Sequence, residues 1–252
     1  MRRLAALAST SLAAALVLAG CVATPPPTVG AAPVGEAAQT EGFPANMASH
    51  GIVETDEGVL LTPVAAAAPV PTADVGDRVH VVVYVDLLCP YCGEFEAANG
   101  AYLEEAVAAG DVALETHPIS FLDRLSLGTE YSTRAANLVA AVADLHPDAT
   151  PAVLRALFAD QPAEQTAGLA DDELLSVAAS AGAQSDALTA AVRDVAYRGF
   201  VDVATSTATT QPLPGRSEPL TGTPTILIDG ETYGGDPADA AAFAAAVDAA
   251  RG

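Results

Sequence analysis

Cys89-Pro90-Tyr91-Cys92 sets two thiols three positions apart, directly after the β-branched run HVVVYVD at 80–86. Pro90 suits the first turn of a helix, where its missing N–H is no loss, so the motif reads as the entry to a helix over about 90–109. A thiol at that point faces free backbone N–H groups and the positive end of the helix dipole. Both favour a thiolate, the attacking species in thiol–disulfide exchange. Cys92, one turn further on, is close enough to attack a mixed disulfide formed on Cys89 and release it. Three other readings compete. A zinc half-site needs two more ligands, and His50, His80, His117 and His146 are scattered without ligand spacing, so no metal is expected. A structural crosslink would close a loop too short to restrict much unfolded-chain entropy. Inert buried thiols suit poorly a strand-to-helix turn carrying proline and tyrosine. Redox exchange is the expectation.

The elements that must hold the pair follow from pattern. The run at 80–86 is continuous rather than alternating, which predicts a central strand buried on both faces. Gly110-Asp111 turns the chain into a second strand over about 112–120. Gly51-Ile52-Val53 and Val59-Leu60-Leu61 are read as short strands around a turn at 56–58, followed by a Pro/Ala-rich loop at 63–73. Residues 129–206 read as helical. Ala135, Leu138, Val139, Val142 and Leu145 follow 3–4 spacing, Thr150-Pro151 looks like a cap and first turn, and Asp171 can cap a third helix. A fourth helix from about 185 carries Leu188, Val192, Val195 and Val203. PTILIDG at 224–230 is a strand that Glu231-Thr232-Tyr233 pairs back on, and Asp236-Pro237 is placed at the start of the last helix.

With these residues in place, YVDLLCPYCGEFE resembles the active-site segment of DsbA-like thiol–disulfide oxidoreductases of the thioredoxin superfamily. Gly222-Thr223-Pro224-Thr225 before the strand ILID matches a second mark of that family. The helical block between the two matches the domain those proteins insert into the thioredoxin core. The resemblance covers about 80–250. It implies an α/β, thioredoxin-like fold with an inserted helical domain, Cys89 as nucleophile and Cys92 as resolving cysteine. Pro224 takes the place of a cis-proline lying against the pair, with Thr223 before it; independently, a proline that removes a ladder donor belongs at a strand start or edge. Pro90, Tyr91 and Asp86 take supporting positions. Taken alone, Asp86 reads as a solvated strand-end carboxylate; by the resemblance it influences proton transfer or caps the helix entry. Tyr91 departs from strongly oxidising relatives, which often carry histidine there. Glu94 and Glu96 are read as the outer helix face, Arg134 as a surface partner of Glu130, and His117 as a strand-end residue.

The N-terminus reads as export machinery. Arg2 and Arg3 precede an uncharged apolar stretch over residues 4–20, and Leu18-Ala19-Gly20-Cys21 resembles the lipobox of bacterial lipoproteins. That resemblance implies cleavage before Cys21 and a diacylglyceryl group on its thiol. The expected organisation is a signal peptide at 1–20 and a lipidated Cys21 with a disordered tether to residue 50. A first part of the core follows at 51–128, the helical insertion at 129–206 and the second part of the core at 207–252. Ten arginines, no lysine and 32 acidic residues give a net charge of −22. That balance excludes a nucleic-acid binder and a body held to anionic lipid by its own charge. The composite expectation is a lipid-anchored, extracytoplasmic oxidoreductase that puts disulfides into exported thiol-containing proteins. No soluble cofactor is expected beyond the Cys89–Cys92 disulfide, and the family resemblance implies recharging by a quinone-linked membrane thiol oxidase. Two alternatives stay open: an envelope reductase or isomerase, and a binding lipoprotein whose disulfide is idle.

Overall fold

The structure, a computed structural model, describes residues 42–72 and 74–252. Positions 1–41, and with them the signal segment, Cys21 and most of the expected tether, lie outside the described residues. Valine dominates the strand β3 (Val79–Val85), and all of its residues but His80 are buried. Branched side chains on both faces of a pleated strand leave no solvent face, so β3 sits inside a six-stranded sheet. The other strands are β1 (Ile52–Thr55), β2 (Gly58–Val59), β4 (Val112–Pro118), β5 (Thr225–Ile228) and β6 (Glu231–Thr232), in the order β2-β1-β4-β3-β5-β6. β3 and β4 run parallel, Val79 opposite Val112 through Val85 opposite Pro118. The helix α1 (Pro90–Ala108) joins them, as a parallel pair requires a long crossover. β5 lies antiparallel on the other edge of β3, with Tyr84 opposite Thr225.

Strand alternation divides the core. Val81, Val83, Val85, Ile226 and Ile228 point to one face, where they meet Phe95 and Leu103 of α1 and Phe243 and Val247 of the last helix, α7 (Ala240–Ala250). Phe243 is fully buried, edge-on to Phe95 at 5.3 Å. Val82, Tyr84 and Leu227 point to the other face, under Ala208 and Leu213.

Five helices enter between β4 and β5: α2 (Tyr131–Leu145), α3 (Thr150–Ala159), α4 (Asp171–Ser180), α5 (Asp186–Arg193) and α6 (Arg198–Thr210). α2 is buried nearly all round, which is why its sequence is alanine-rich and almost free of charge. Several expected boundaries move. The fourth helix is two, because Val195 takes a left-handed φ of 46° that a branched side chain rarely adopts inside a helix. Thr150 lies inside α3 with Ala149 as its cap, and Ala170 rather than Asp171 caps α4, its N–H bonded to Glu173 Oε2. Asp239, accepting from Ala242 N at 3.0 Å, caps the last helix in place of Asp236.

Residues 42–50, expected as the end of the tether, pack against the helical block instead. Met47 is fully buried, Phe43 lies edge-on to Phe200 at 5.7 Å, and Asn46 Nδ2 donates to Ala143 O at 2.8 Å. Two apolar residues in a Pro/Ala-rich stretch show no periodicity, so the sequence carries no sign of their burial. Among the described residues no helix is long and apolar enough to cross a membrane.

Candidate active site

α1 begins where the sequence places it. Cys89 is its N-cap residue, extended at φ −74° and ψ 116°, and Pro90 opens the first turn. Cys92 N and Gly93 N both donate to Cys89 O, at 3.0 and 3.2 Å, which closes that turn around the motif. The cysteines stand as free thiols. Pro90 and Tyr91 are exposed, Tyr91 at 63%, while Cys89 is 4% exposed and Cys92 is fully buried. The accessible part of the motif is thus the intervening dipeptide, and the sulfurs lie beneath it.

The two thiols are electrostatically unlike. Cys89 is lowered to about 6, first because the Cys92 thiol donates to its sulfur; burial works against the shift, and the Thr223 hydroxyl and the N–H groups of Cys92 and Tyr91 add to it. Cys92 is pushed well above the ordinary thiol value by burial and by the neighbouring Cys89. At neutral pH one sulfur is a thiolate and the other holds its proton, which is the division of labour that nucleophile and resolving thiol require.

Thr223 and Pro224 lie against the pair as the resemblance implies. The Thr223–Pro224 bond is cis, and the Cys89 thiol meets Thr223 O at 3.2 Å. Thr223 Oγ1 is buried without a hydrogen-bond partner among the described residues, which leaves it available to the sulfurs.

Asp86 is not the solvated carboxylate that its place at a strand end suggests. It is fully buried. Oδ1 accepts from Leu88 N at 2.8 Å and from Ser132 Oγ at 2.7 Å, and Oδ2 accepts from Leu122 N at 2.7 Å. One carboxylate therefore ties the active-site loop to the chain after β4 and to the first turn of α2. Burial raises its carboxyl to about 6 in spite of those three donors.

Gln161, which sequence reasoning passed over, reaches the same loop from the segment after α3. Its Nε2 donates to Leu87 O at 3.2 Å and Cys89 O at 2.9 Å. Gly93 makes room for it, since a Cβ there would run into Gln161 Oε1. A lone glutamine in a loop carries no spacing signal; a glycine inside the first turn of a helix is the one hint the sequence offers.

The remaining candidates are placed elsewhere. Arg134 bonds Asp171 Oδ1 at 2.9 Å and the carbonyls of Thr129 and Leu169, while Glu130 pairs with Arg198. Arg134 therefore staples the loop before α4, a role set by a distant segment that local spacing does not report. Glu94 is exposed, but Glu96 turns into a small cavity shared with Glu54 and Arg155, where burial raises its carboxyl. His117 is buried in a cluster on the far face of the sheet.

The thiolate at Cys89 links redox state to pH. Its folded value of about 6 lies below the ordinary thiol value near 8.5. A lowered value adds stability that is complete above the ordinary value and is lost as pH falls through the folded one. The reduced protein should therefore gain stability over the disulfide form as pH rises from about 6 to about 8.5, in the window set by those two values. Melting both redox forms across that range checks it; a constant gap means Cys89 has an ordinary thiol.

Comparison with known proteins places this geometry. The family pattern described as thioredoxin matches residues 77–249. Among solved structures, the chain resembles the reduced disulfide bond oxidoreductase DsbG of Mycobacterium tuberculosis at 26% identity, covering 73% of this chain and 82% of that one, TM-score 0.58. It resembles oxidised DsbA of the same organism at 26% identity, covering 80% and 93%, TM-score 0.61. MdbA, a thiol-disulfide oxidoreductase of Actinomyces oris, shares the fold at 17% identity, covering 84% and 94%, TM-score 0.60. A segment of 110 residues, 42% of this chain, is 33% identical to the serine/threonine-protein kinase PknE of Mycobacterium tuberculosis, and it spans 19% of that protein.

Proposed function

The chain belongs to the thioredoxin family, and we propose that it is a thiol–disulfide oxidoreductase that passes the Cys89–Cys92 disulfide to dithiols of exported proteins. The observation that carries this reading is the asymmetry of the pair: a low thiol at the helix entry and a buried, high one a turn behind it. A substrate thiolate attacks Cys89 Sγ, the bond to Cys92 breaks, and Cys92 takes up a proton as it leaves. The second substrate thiolate attacks the substrate sulfur of the mixed disulfide, and Cys89 departs as a thiolate. A low thiol is the better leaving group, so this second step is the one the helix entry favours. Two electrons have then moved from the substrate dithiol to the protein. Cys92 attacks Cys89 Sγ when the second substrate thiol is out of reach, which frees a stalled substrate.

The wider setting belongs to the same proposal. Lipidation of Cys21 would hold the domain on the outer side of the cell membrane, with two or more acyl chains supplying the affinity. A quinone-linked thiol oxidase in that membrane would restore the disulfide. Support comes from the lipobox-like Leu18-Ala19-Gly20-Cys21, and the net charge of −22 argues against attachment to anionic lipid through the body's own charge.

The test is stoichiometric. The disulfide form, mixed with a reduced unfolded protein carrying two cysteines, should leave one substrate disulfide for each Cys89–Cys92 dithiol formed. A binding lipoprotein with an idle disulfide leaves the substrate reduced.

A further inference from the structure

The active-site loop is tied to the segments around it at two points. Asp86 makes one, to Leu122 N and Ser132 Oγ, and fixes the approach to the motif. Gln161 makes the other. It lies just past the end of α3 and is half-buried, and Pro162 after it disfavours helical backbone there. Carbonyls only accept, so the amide nitrogen is the end of Gln161 that faces Leu87 O and Cys89 O, at 3.2 and 2.9 Å. No other side chain among the described residues donates to a carbonyl of residues 87–93.

Cys89 O thus takes three donors of two kinds. Cys92 N and Gly93 N belong to the motif and move with it. The Gln161 amide comes from outside and holds the motif against the helical block. The difference matters because the groups that stabilise the Cys89 sulfur are also of two kinds. The Cys92 thiol and the N–H groups of Cys92 and Tyr91 turn with the motif, whereas the Thr223 hydroxyl belongs to the segment before β5. Thr223 O stands 3.2 Å from the same sulfur. The motif must therefore be held in one orientation for both sets to meet one atom. Gly93, in the first turn of α1, leaves space for the brace at a position where alanine is the better helix former.

We propose that Gln161 is a positioning residue for the redox pair: it holds the Cys89 carbonyl so that the Cys89 sulfur is set between the N–H groups of α1 and Thr223. It bonds carbonyls and no sulfur, so it acts through Cys89. The inference rests on the reading of Cys89–Cys92 as a redox couple, and it gives the inserted helical block a part in setting the potential.

Gln161→Met tests it, since methionine keeps the length and the apolar stem and cannot donate. In the full chain, the pH midpoint of Cys89 alkylation, read on its own peptide by mass spectrometry, should rise. The equilibrium with glutathione should move about threefold to tenfold toward the disulfide, a potential lower by about 15–30 mV. The shift is partial because the motif keeps its own N–H groups. Gly93→Ala, which pushes the amide aside from α1, should reproduce both changes. The double variant should add little to either, since the two substitutions remove one contact. Should Gln161→Met fail to fold, Gly93→Ala carries the test alone. A parental midpoint and potential in either folded variant, whatever its stability, overturns the proposal, as do shifts that add in full in the double variant. A parent that leaves a reduced dithiol substrate unoxidised fails the exchange reading instead, and the shifts stay measurable on the couple itself.

Discussion

Cys89→Ser should lower dithiol oxidation by on the order of a thousandfold or more, because a serine hydroxyl neither forms the exchangeable bond nor ionises near neutral pH. Cys92→Ala should do something different. Its remaining thiol still ionises at the helix entry and still forms mixed disulfides, but the escape route is gone, so complexes with exported proteins should accumulate. The geometry gives the order. Cys89 is the residue whose thiol is lowered to about 6, and Cys92 is fully buried with its thiol raised. Non-reducing electrophoresis of cells carrying each variant reads the outcome. Trapping through Cys92 in a Cys89→Ala background, with none through Cys89, would reverse the assignment of roles.

Asp86→Ala should destabilise the protein by about 3–9 kcal/mol, since it leaves two buried backbone N–H groups and a buried hydroxyl without an acceptor, each at about 1–3 kcal/mol. The groups are those of Leu88, Leu122 and Ser132. Urea unfolding measures the loss as a lower midpoint at an unchanged slope. A second signature separates the carboxyl from simple packing. Its folded value of about 6 lies above the ordinary 3.8, so between those values the folded state holds the proton more tightly than the unfolded one. Stability contributed by this group therefore falls as pH rises from about 3.8 to about 6. In the disulfide form, where neither thiol titrates, the difference between the protein and Asp86→Asn should show that slope. A flat difference would mean the carboxyl titrates normally and that burial does not govern it.

Much of this site is legible in the sequence, because it depends on residues whose neighbours along the chain set their conformation. A valine run specifies a central strand and proline after Cys89 specifies a helix entry; that the CPYC and Thr223-Pro224 segments meet is what the resemblance to the DsbA-like family implies. What stays hidden is set by contacts between distant segments. Asp86 reads as exposed until Leu122 and Ser132 are seen to enclose it. Gln161 reaches Cys89 O from 72 positions away, and nothing local marks it. The His80–Glu115–His117 cluster comes from two strands and looks scattered because β3 and β4 are joined by a helix. Val195 breaks a helix in the midst of apolar spacing that argues for continuity. Residues 42–50 look like more of the proline-rich tether because their only large apolar side chains are Phe43 and Met47, and the burial of Asn46 and His50 is set by distant partners, Ala143 and Phe200.

The direction of electron flow is the central claim, and the potential of the Cys89–Cys92 couple decides it. A lowered Cys89 stabilises the dithiol and makes the disulfide a better oxidant, while Tyr91 supplies no positive charge to carry the effect further. Equilibration of the protein with glutathione buffers, read by the fraction of dithiol, should give a potential between about −120 and −200 mV, on the oxidising side of the glutathione pool. A value near or below about −250 mV, in the range of thioredoxin, would contradict the oxidase reading and make the protein a reductant of the envelope.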